Sequence, residues 1–496
     1  MRSPLRKSAI ILGVLISCLA NISHAESQAY KAEIAGDLAK LKGLHQKVAK
    51  SGEKFSVVRL RARSVANIGT VNFTFDVRKL PAAEAVFVSG MKSRKDAVVP
   101  LLLKGHAYLN RSGGASRKVS AALSVIKQQV RVQFSTVELE KDAKAPRLYA
   151  ISWRMDKSPR ITANVSTKQS AQLLNKLCQS HKHEGAKKFS SLAATTVPAK
   201  ALTSAKIVTL STDADPEWYA KYGDASNAEI AAIINAAEAI FERQLQIRFA
   251  LVRQHVYVGG SPYFSTDAST LLSSFAKNIE NPANLGLTPL TFDEDVDVKH
   301  LFTGKELTGN VIGLSYVGAL CWSSKNAYGL TQNTTRELNI TTFMHEMGHT
   351  FGATHDESDV GGIMYPNLGI KRYFSPVSVA QINRFLSTNG KCVAEQLVGA
   401  NLSNATLTLA PKRSKDRRTL VIKGNLLSNL ATPLPGEMIK ITLNNKRVVL
   451  AMTNEKGGFA YRVKLSGMKS RQLSIFAQTL NNETALEKPL RIQVRA

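Results

Sequence analysis

Apolar positions recur with two different periods along this chain. Between about residues 55 and 165 they alternate with polar ones, as at 55–63 (FSVVRLRAR), 71–77 (VNFTFDV) and 130–139 (VRVQFSTVEL). Short runs of this kind read as half-buried strands. Ahead of them, the stretch from Tyr30 to Lys50 fits one short helix. From residue 203 the pattern alternates between strands and helices. A strand at 206–212 precedes a helix from about Asn227, whose Ile230, Ile233, Ile234, Ala237 and Phe241 form one stripe, introduced by Ser226 with Glu229 as a capping box. Strand signals at 248–252 and 311–317 flank a helix near 269–278, which implies a mixed sheet with helices packed on it. A further helical stripe, Ile340, Phe343, Met344, Met347 and Phe351, leaves His345 and His349 projecting from roughly the opposite side. From 404 to 496 short alternating runs return, at 420–424, 439–443 and 459–463, separated by turn signals such as Asn444-Asn445 and Gly457-Gly458. About seven such strands suggest a β-sandwich.

At 496 residues the chain is too long for one ordinary domain. Its start has Arg2, Arg6 and Lys7 before an apolar run from Ala9 to Ala20, too short to span a bilayer and laid out like an export signal. Small residues at Ser23 and Ala25 place the cut before Glu26; a competing site, 15–18 (LISC), would lipidate Cys18 instead. Residues 166–202, rich in Ser, Lys, Ala and Thr, read as a linker, with Lys187-Lys188 as a candidate processing site. The expected division is a signal peptide at 1–25, a β-rich proregion with its linker at 26–202, an α/β catalytic domain at 203–395, a short linker at 396–403 and a β-sandwich at 404–496.

The net charge of +29 is unevenly spread. Residues 1–202 hold 35 Lys and Arg against 12 Asp and Glu, residues 203–395 hold 14 against 20, and residues 396–496 hold 17 against 5. A basic proregion beside an acidic central region predicts mutual attraction. A nucleic-acid role is the rival explanation, but no nucleic-acid module is recognisable and the chain opens on an export signal. The run 412–418 (KRSKDRR) packs five cations into seven residues and would suit a polyanionic or cell-surface partner, or simply a solvated face.

The chemistry concentrates at 343–356 (FMHEMGHTFGATHD). Two histidines four apart on a helix, with Glu346 between them, match the His-Glu-x-x-His zinc motif. One helix supplies only two ligands in comfortable geometry, and a catalytic zinc wants three. Gly352 can take the positive φ that turns the chain back and brings His355 to the metal. Glu346 is then the general base for a water that the metal acidifies. Met364 follows nine residues after His355.

These residues resemble the metzincin metallopeptidases, and Asp356 directly after the third histidine is similar to the adamalysin (reprolysin-like) branch. The stretch 310–321 (NVIGLSYVGALC) looks like that family's edge strand, and 374–386 its closing helix, so the resemblance spans about residues 203–395. It implies several roles. Met364 forms a turn beneath the zinc, substrate lies along the edge strand at Gly313 and Leu314, Tyr365 and Pro366 wall the pocket after the scissile bond, and Cys321 pairs with Cys392. Gly362 and Val377 stand roughly where relatives carry further cysteines. The calcium site is only partly matched, by Asp297 and Glu395, because strand 206–212 lacks the acidic ligand; calcium is not assigned. Cys178, left over once Cys321 and Cys392 pair, is a candidate zymogen switch, although 177–180 (LCQS) is not the family's switch sequence, His181 or His183 could fill the same role, and the thiol could equally be inert. The C-terminal segment loosely resembles a bacterial Ig-like domain.

The expected function is that of a secreted zinc endopeptidase made as a zymogen and acting on protein or peptide substrates. The alternative from another class is a non-catalytic adhesion or matrix-binding protein with a structural or vestigial zinc site; the presence of Glu346 argues against it, since a structural site has no use for a base.

Overall fold

The computed structural model describes residues 28–47, 57–65, 69–79, 84–89, 92–95, 98–109, 117–135, 147–155, 161–169, 177–181, 204–280, 296–321, 327–357, 362–367, 373–397, 406–413, 419–427, 438–444, 447–453, 456–464, 472–479 and 490–493. The export signal with Cys18, the processing pair Lys187-Lys188 and the cationic run beyond Arg413 lie outside them. Among the described residues no helix is long and apolar enough to cross a membrane.

The N-terminal alternation builds ten strands: β1 (Gln28–Gly36), β2 (Val58–Val65), β3 (Gly69–Lys79), β4 (Glu84–Ser89), β5 (Lys92–Lys95), β6 (Leu101–Leu109), β7 (Arg117–Ile126), β8 (Gln129–Ser135), β9 (Arg147–Arg154) and β10 (Ile161–Gln169). Eight of them close a barrel in the order β1-β10-β9-β8-β7-β6-β3-β2, filled by Phe73, Phe75, Leu101, Leu103, Phe134, Tyr149 and Trp153. The helix expected from Tyr30 begins later, as α1 (Leu38–Lys47). Residues 28–36 are strand because they have distant partners: Ile34 stands opposite both Ile161 and Ala62, which closes the barrel. Gly36, at φ +115°, lies against the Arg59 carbonyl, where no side chain fits.

The central sheet comprises β11 (Leu177–His181), β12 (Ser204–Ala214), β13 (Ile247–Gly259), β14 (Val298–Thr303), β15 (Val311–Tyr316), β16 (Tyr328–Gln332) and β17 (Ala394–Leu397). Its order is β11-β15-β16-β14-β12-β13-β4-β5, with β17 also on β12. β12, β13, β14 and β16 are parallel to their neighbours in that set, while β15 runs antiparallel to β16. The sheet is thus mixed, as expected, but three of its strands come from the N-terminal region. The end of β10 and all of β11 fall within the stretch 166–202 read as a linker; the pairing partners that order them are about 130 residues away in β1 and β15.

Helices α2 (Pro216–Tyr222), α3 (Ser226–Leu245), α4 (Ala268–Glu280) and α5 (Arg336–Thr350) pack on this sheet, and α6 (Pro376–Asn389) packs against α3. The expected stripe of α3, with Ile230, Ile234 and Phe241, joins Phe249, Phe343 and Phe351 in the core. The expected capping box does not form. Ser226 is already helical, its hydroxyl donating to the Gly223 carbonyl, and Glu229 is taken by Arg131 and Arg336. Charge pairs outbid a local cap at a buried position. The attraction expected between the basic and acidic regions is realised in discrete pairs: Arg94 with Asp224, Arg131 with Glu229, and Lys104 with Glu238 and Glu242.

Cys321 and Cys392 are bonded, with Cα atoms 5.3 Å apart and a sequence separation of 71. The bridge ties the chain after β15 to the end of α6. Replacing both cysteines by serine should lower unfolding stability by about 2 to 5 kcal/mol, read as a shift in the urea midpoint; an unchanged midpoint would show that the bridge does not hold this loop.

The C-terminal strands are β18 (Thr406–Leu409), β19 (Lys412–Arg413), β20 (Thr419–Leu427), β21 (Met438–Leu443), β22 (Arg447–Met452), β23 (Gly458–Lys464), β24 (Gln472–Thr479) and β25 (Leu490–Gln493). They make two four-stranded sheets, whose Leu420, Ile422 and Val463 share a core with Ile439, Ile441 and Ile475 of the other.

Candidate metal and catalytic site

Helix α5 starts at a Thr335 N-cap, whose hydroxyl accepts from the Leu338 amide, and ends where Gly352 takes φ +87°. A Cβ on Gly352 would sit 2.7 Å from the Phe385 ring, so glycine is required for space as well as for φ. The reversal works as the sequence implied: it returns His355 to the helix. His349 Nε2 lies 3.0 Å from His345 Nε2 and 3.2 Å from His355 Nε2. Three nitrogens bound tetrahedrally at about 2.0 to 2.1 Å from a zinc ion would stand about 3.3 Å apart, so the spacing fits that metal.

The other ring nitrogens explain why these atoms face one another. His345 Nδ1 bonds the Ile363 carbonyl at 2.7 Å, and His349 Nδ1 bonds the Ala353 carbonyl at 2.8 Å. Each carbonyl fixes the tautomer with Nδ1 as donor and leaves Nε2 its lone pair. Burial, then the neighbouring imidazoles, drives His345 well below the usual histidine range; burial and His355 bring His349 down to about 3, and burial lowers His355. Neutral imidazoles are the form a metal needs. Among the described residues, the three histidines are the cluster placed to share an ion.

Met364 is fully buried under α5, and its thioether occupies the space that a Cβ on Gly348 would need. Gly348 therefore belongs to the site through packing. Asp356 fastens the third histidine to the rest. Its amide donates to the Met364 carbonyl at 2.8 Å, and its Oδ1 accepts from Ser375 Oγ at 2.6 Å and Ser378 Oγ at 2.7 Å. Ser375 is also the N-cap of α6. The carboxylate thus sits where that helix favours negative charge. Gly362 gives it room, since a Cβ there would lie 2.6 Å from Asp356 Oδ2.

Glu346 is fully buried and turned towards β15. Ser315 Oγ donates to Glu346 Oε2 at 2.7 Å and also lies 3.0 Å from the Glu346 carbonyl. Gly313, two residues earlier and so on the same face of the strand, leaves the space that Glu346 Oε1 fills. Leu314 points the other way, into the core with Leu330 and Tyr328. Tyr365 and Pro366 are half-buried beyond Met364. Ser315 and the Asp356–Ser375–Ser378 set were not found from sequence. The period-2 relation of Ser315 to Gly313 was the one available signal.

β15 is covered. β11 runs parallel along it, with Cys178 opposite Gly313, Gln179 opposite Leu314 and Ser180 opposite Ser315. Asp297, weighed for calcium, is engaged with β12: its Oδ2 accepts from the Thr209 amide and hydroxyl, both at 2.8 Å. Glu395 stands opposite Lys206 in the β17–β12 pair.

The site lies within a stretch of known kind. Residues 204–375 match the model of metallo-peptidase family M12, Reprolysin_5. The zinc metalloproteinase-disintegrin-like atrase-B of Naja atra is 27% identical over 199 residues, covering 39% of this chain and 32% of its own length. Snake venom metalloproteinase Ac1 of Deinagkistrodon acutus is 35% identical over 107 residues, covering 20% of this chain and 52% of its own. The chain thus spans about a third to a half of these relatives. Metalloproteinase-II from Bacteroides fragilis aligns in structure over 69% of this chain and 94% of its own, with 9% identity and a TM-score of 0.37. Over residues 204–375, which hold all three histidines and Glu346, the chain is similar to the M12 metallo-peptidases.

Proposed function

We propose that this chain is an exported zinc-dependent endopeptidase made as a zymogen. The observation that carries the proposal is the convergence of three lone-pair-bearing Nε2 atoms next to a buried carboxylate that Ser315 holds in place. His345, His349 and His355 would hold the zinc, which when bound supplies Lewis acidity toward water and the scissile carbonyl. Glu346 takes the proton of the attacking water and passes it to the leaving amine nitrogen. β15 binds substrate by main-chain pairing at Gly313 and Leu314, leaving choice of side chain to pockets; Tyr365 and Pro366 wall the one after the scissile bond. β11 lies along that same edge, with Cys178 opposite Gly313 in register, which supports reading β11 as the segment that blocks the site. The Cys321–Cys392 bridge suits an oxidising compartment, which supports export.

The chain, cut within residues 170–176 and 182–203 and supplied with zinc, should digest unfolded casein. A chelator should stop digestion and added zinc restore it. Absence of cleavage by the cut, zinc-loaded protein would refute the proposal in favour of a binding role.

The hydroxyl of Ser315 gives a finer expectation. Ser315→Ala removes a buried hydrogen bond to a charged group, and kcat should fall on the order of tenfold with KM nearly unchanged, because the substrate-binding main chain stays in place. An unchanged kcat would show that the base needs no such support.

A further inference from the structure

The N-terminal region holds two parts with different relations to the site. One is β11, on the edge that faces the histidines. The other is the barrel with β4 and β5, which meets the opposite edge of the sheet and the outer face of α3. β4 pairs with β13 in parallel from Glu84 opposite Arg253 to Ser89 opposite Gly259, and β5 closes the edge beyond it. Phe87 packs edge-on to Tyr219, with ring centroids 5.6 Å apart, and Val86 and Val88 share a cluster with Tyr257, Leu271 and Phe275.

The barrel wall shows the same commitment. Along β6 and β7 alternate residues should face inward and outward. Leu101, Leu103, Leu123 and Val125 do fill the barrel, but the outward positions are not dressed for water. Leu102, Ala122 and Ile126 belong to the core of the catalytic region instead. On α3, Asn227, Asn235, Glu238 and Glu242 fall in one stripe at about 100° per residue, beside the apolar stripe that meets the sheet and about a hundred degrees round the helix from its centre. Such a stripe normally meets solvent. Here the Asn235 amide donates to the Leu103 and Leu123 carbonyls at 3.1 and 3.3 Å, and Asn227 reaches the Val86 carbonyl at 3.5 Å. Lys104, 4% exposed, places its ammonium between Glu238 and Glu242, 2.5 Å from the latter. Glu238 also accepts from the Phe249 amide of β13. A lysine buried at this depth is stable only with its carboxylates, of which Glu242 is shared with Arg248.

We infer that the barrel, residues 28–169, is a lasting structural subunit of the protease, and that β11 alone is the removable part; processing would leave a two-piece enzyme whose barrel stays bound to α3 and β13. The inference depends on the zymogen proposal only for the occurrence of a cut, because association is measured without reading activity.

The test uses the full chain carrying a sequence-specific cleavage site within residues 182–203 and a second within 170–176. After both cuts, gel filtration at nanomolar protein should show the barrel fragment eluting with the rest while the peptide bearing 177–181 separates. Raising salt to 1 M should leave the barrel bound, since buried pairs are little screened. Dissociation of the barrel on dilution would overturn the inference, and so would co-retention of the 177–181 peptide with loss of the barrel. Lys104→Met in the same cut protein should weaken retention on the order of tenfold or more, and Lys104→Arg should lose less. Equal retention in Lys104→Met would remove the buried pair as the anchor. If Lys104→Met does not fold uncut, the doubly cut parent decides.

Discussion

Glu346→Gln should leave zinc bound and lower casein hydrolysis by about 100- to 10,000-fold. Gln keeps the shape of the side chain, its packing into the space left by Gly313 and an acceptor for Ser315 Oγ, so the fold and the three histidines are undisturbed. What it loses is the ability to take a proton from water at neutral pH. Measuring metal content alongside kcat separates this from loss of the ion. A Glu346→Gln protein with bound zinc and parental activity would remove the general-base role, and with it the proposed mechanism. The same experiment separates an enzyme from a binding protein whose metal site is only structural, since the latter gives no activity to lose.

The second large effect concerns β11. The uncut chain should be about 100-fold or more less active than the chain cut on both sides of β11, within 170–176 and 182–203, because a tethered strand competes for the edge at an effective concentration on the order of millimolar. Two variants divide the inhibition between its causes. Ser180→Pro, opposite Ser315, removes an amide and breaks the ladder, and should raise activity of the uncut chain if strand pairing is the block. Cys178→Ala preserves the pairing and should raise activity only if a thiol fills the metal's open position. Activity unchanged in both variants, with the parent still silent, would place the inhibition outside β11.

Much of the site was legible in the sequence because its geometry is local. His345 and His349 are one helical turn apart, Gly352 follows within three residues, and His355 and Met364 lie within a span that helix and turn rules can trace. The stripe carrying Phe343, Met347 and Phe351, the helices from Asn227 and near 269–278, and the C-terminal alternation also follow from short-range periodicity. The pairing of Cys321 with Cys392 came from resemblance rather than from spacing, and the structure contains it.

What only the tertiary structure decided involves partners far apart in the chain. Residues 28–36 could be strand or helix by local preference, and their ladder with β10 made them strand. Glu229 looked like a cap until Arg131 and Arg336 reached it from distant segments. Nothing in the sequence marks Lys104 in its strand or Glu238 in its helix as buried, because burial is a property of what covers a residue and not of the residue itself. β11 looked like linker because a five-residue strand has little propensity of its own and gains order only from the edge it pairs with. The sequence by itself therefore determined the candidate site: three histidines, Glu346 and the turn that joins them. The fold decided which strand covers them and which charges hold the barrel, since such contacts are selected by long-range packing energy that no local window contains.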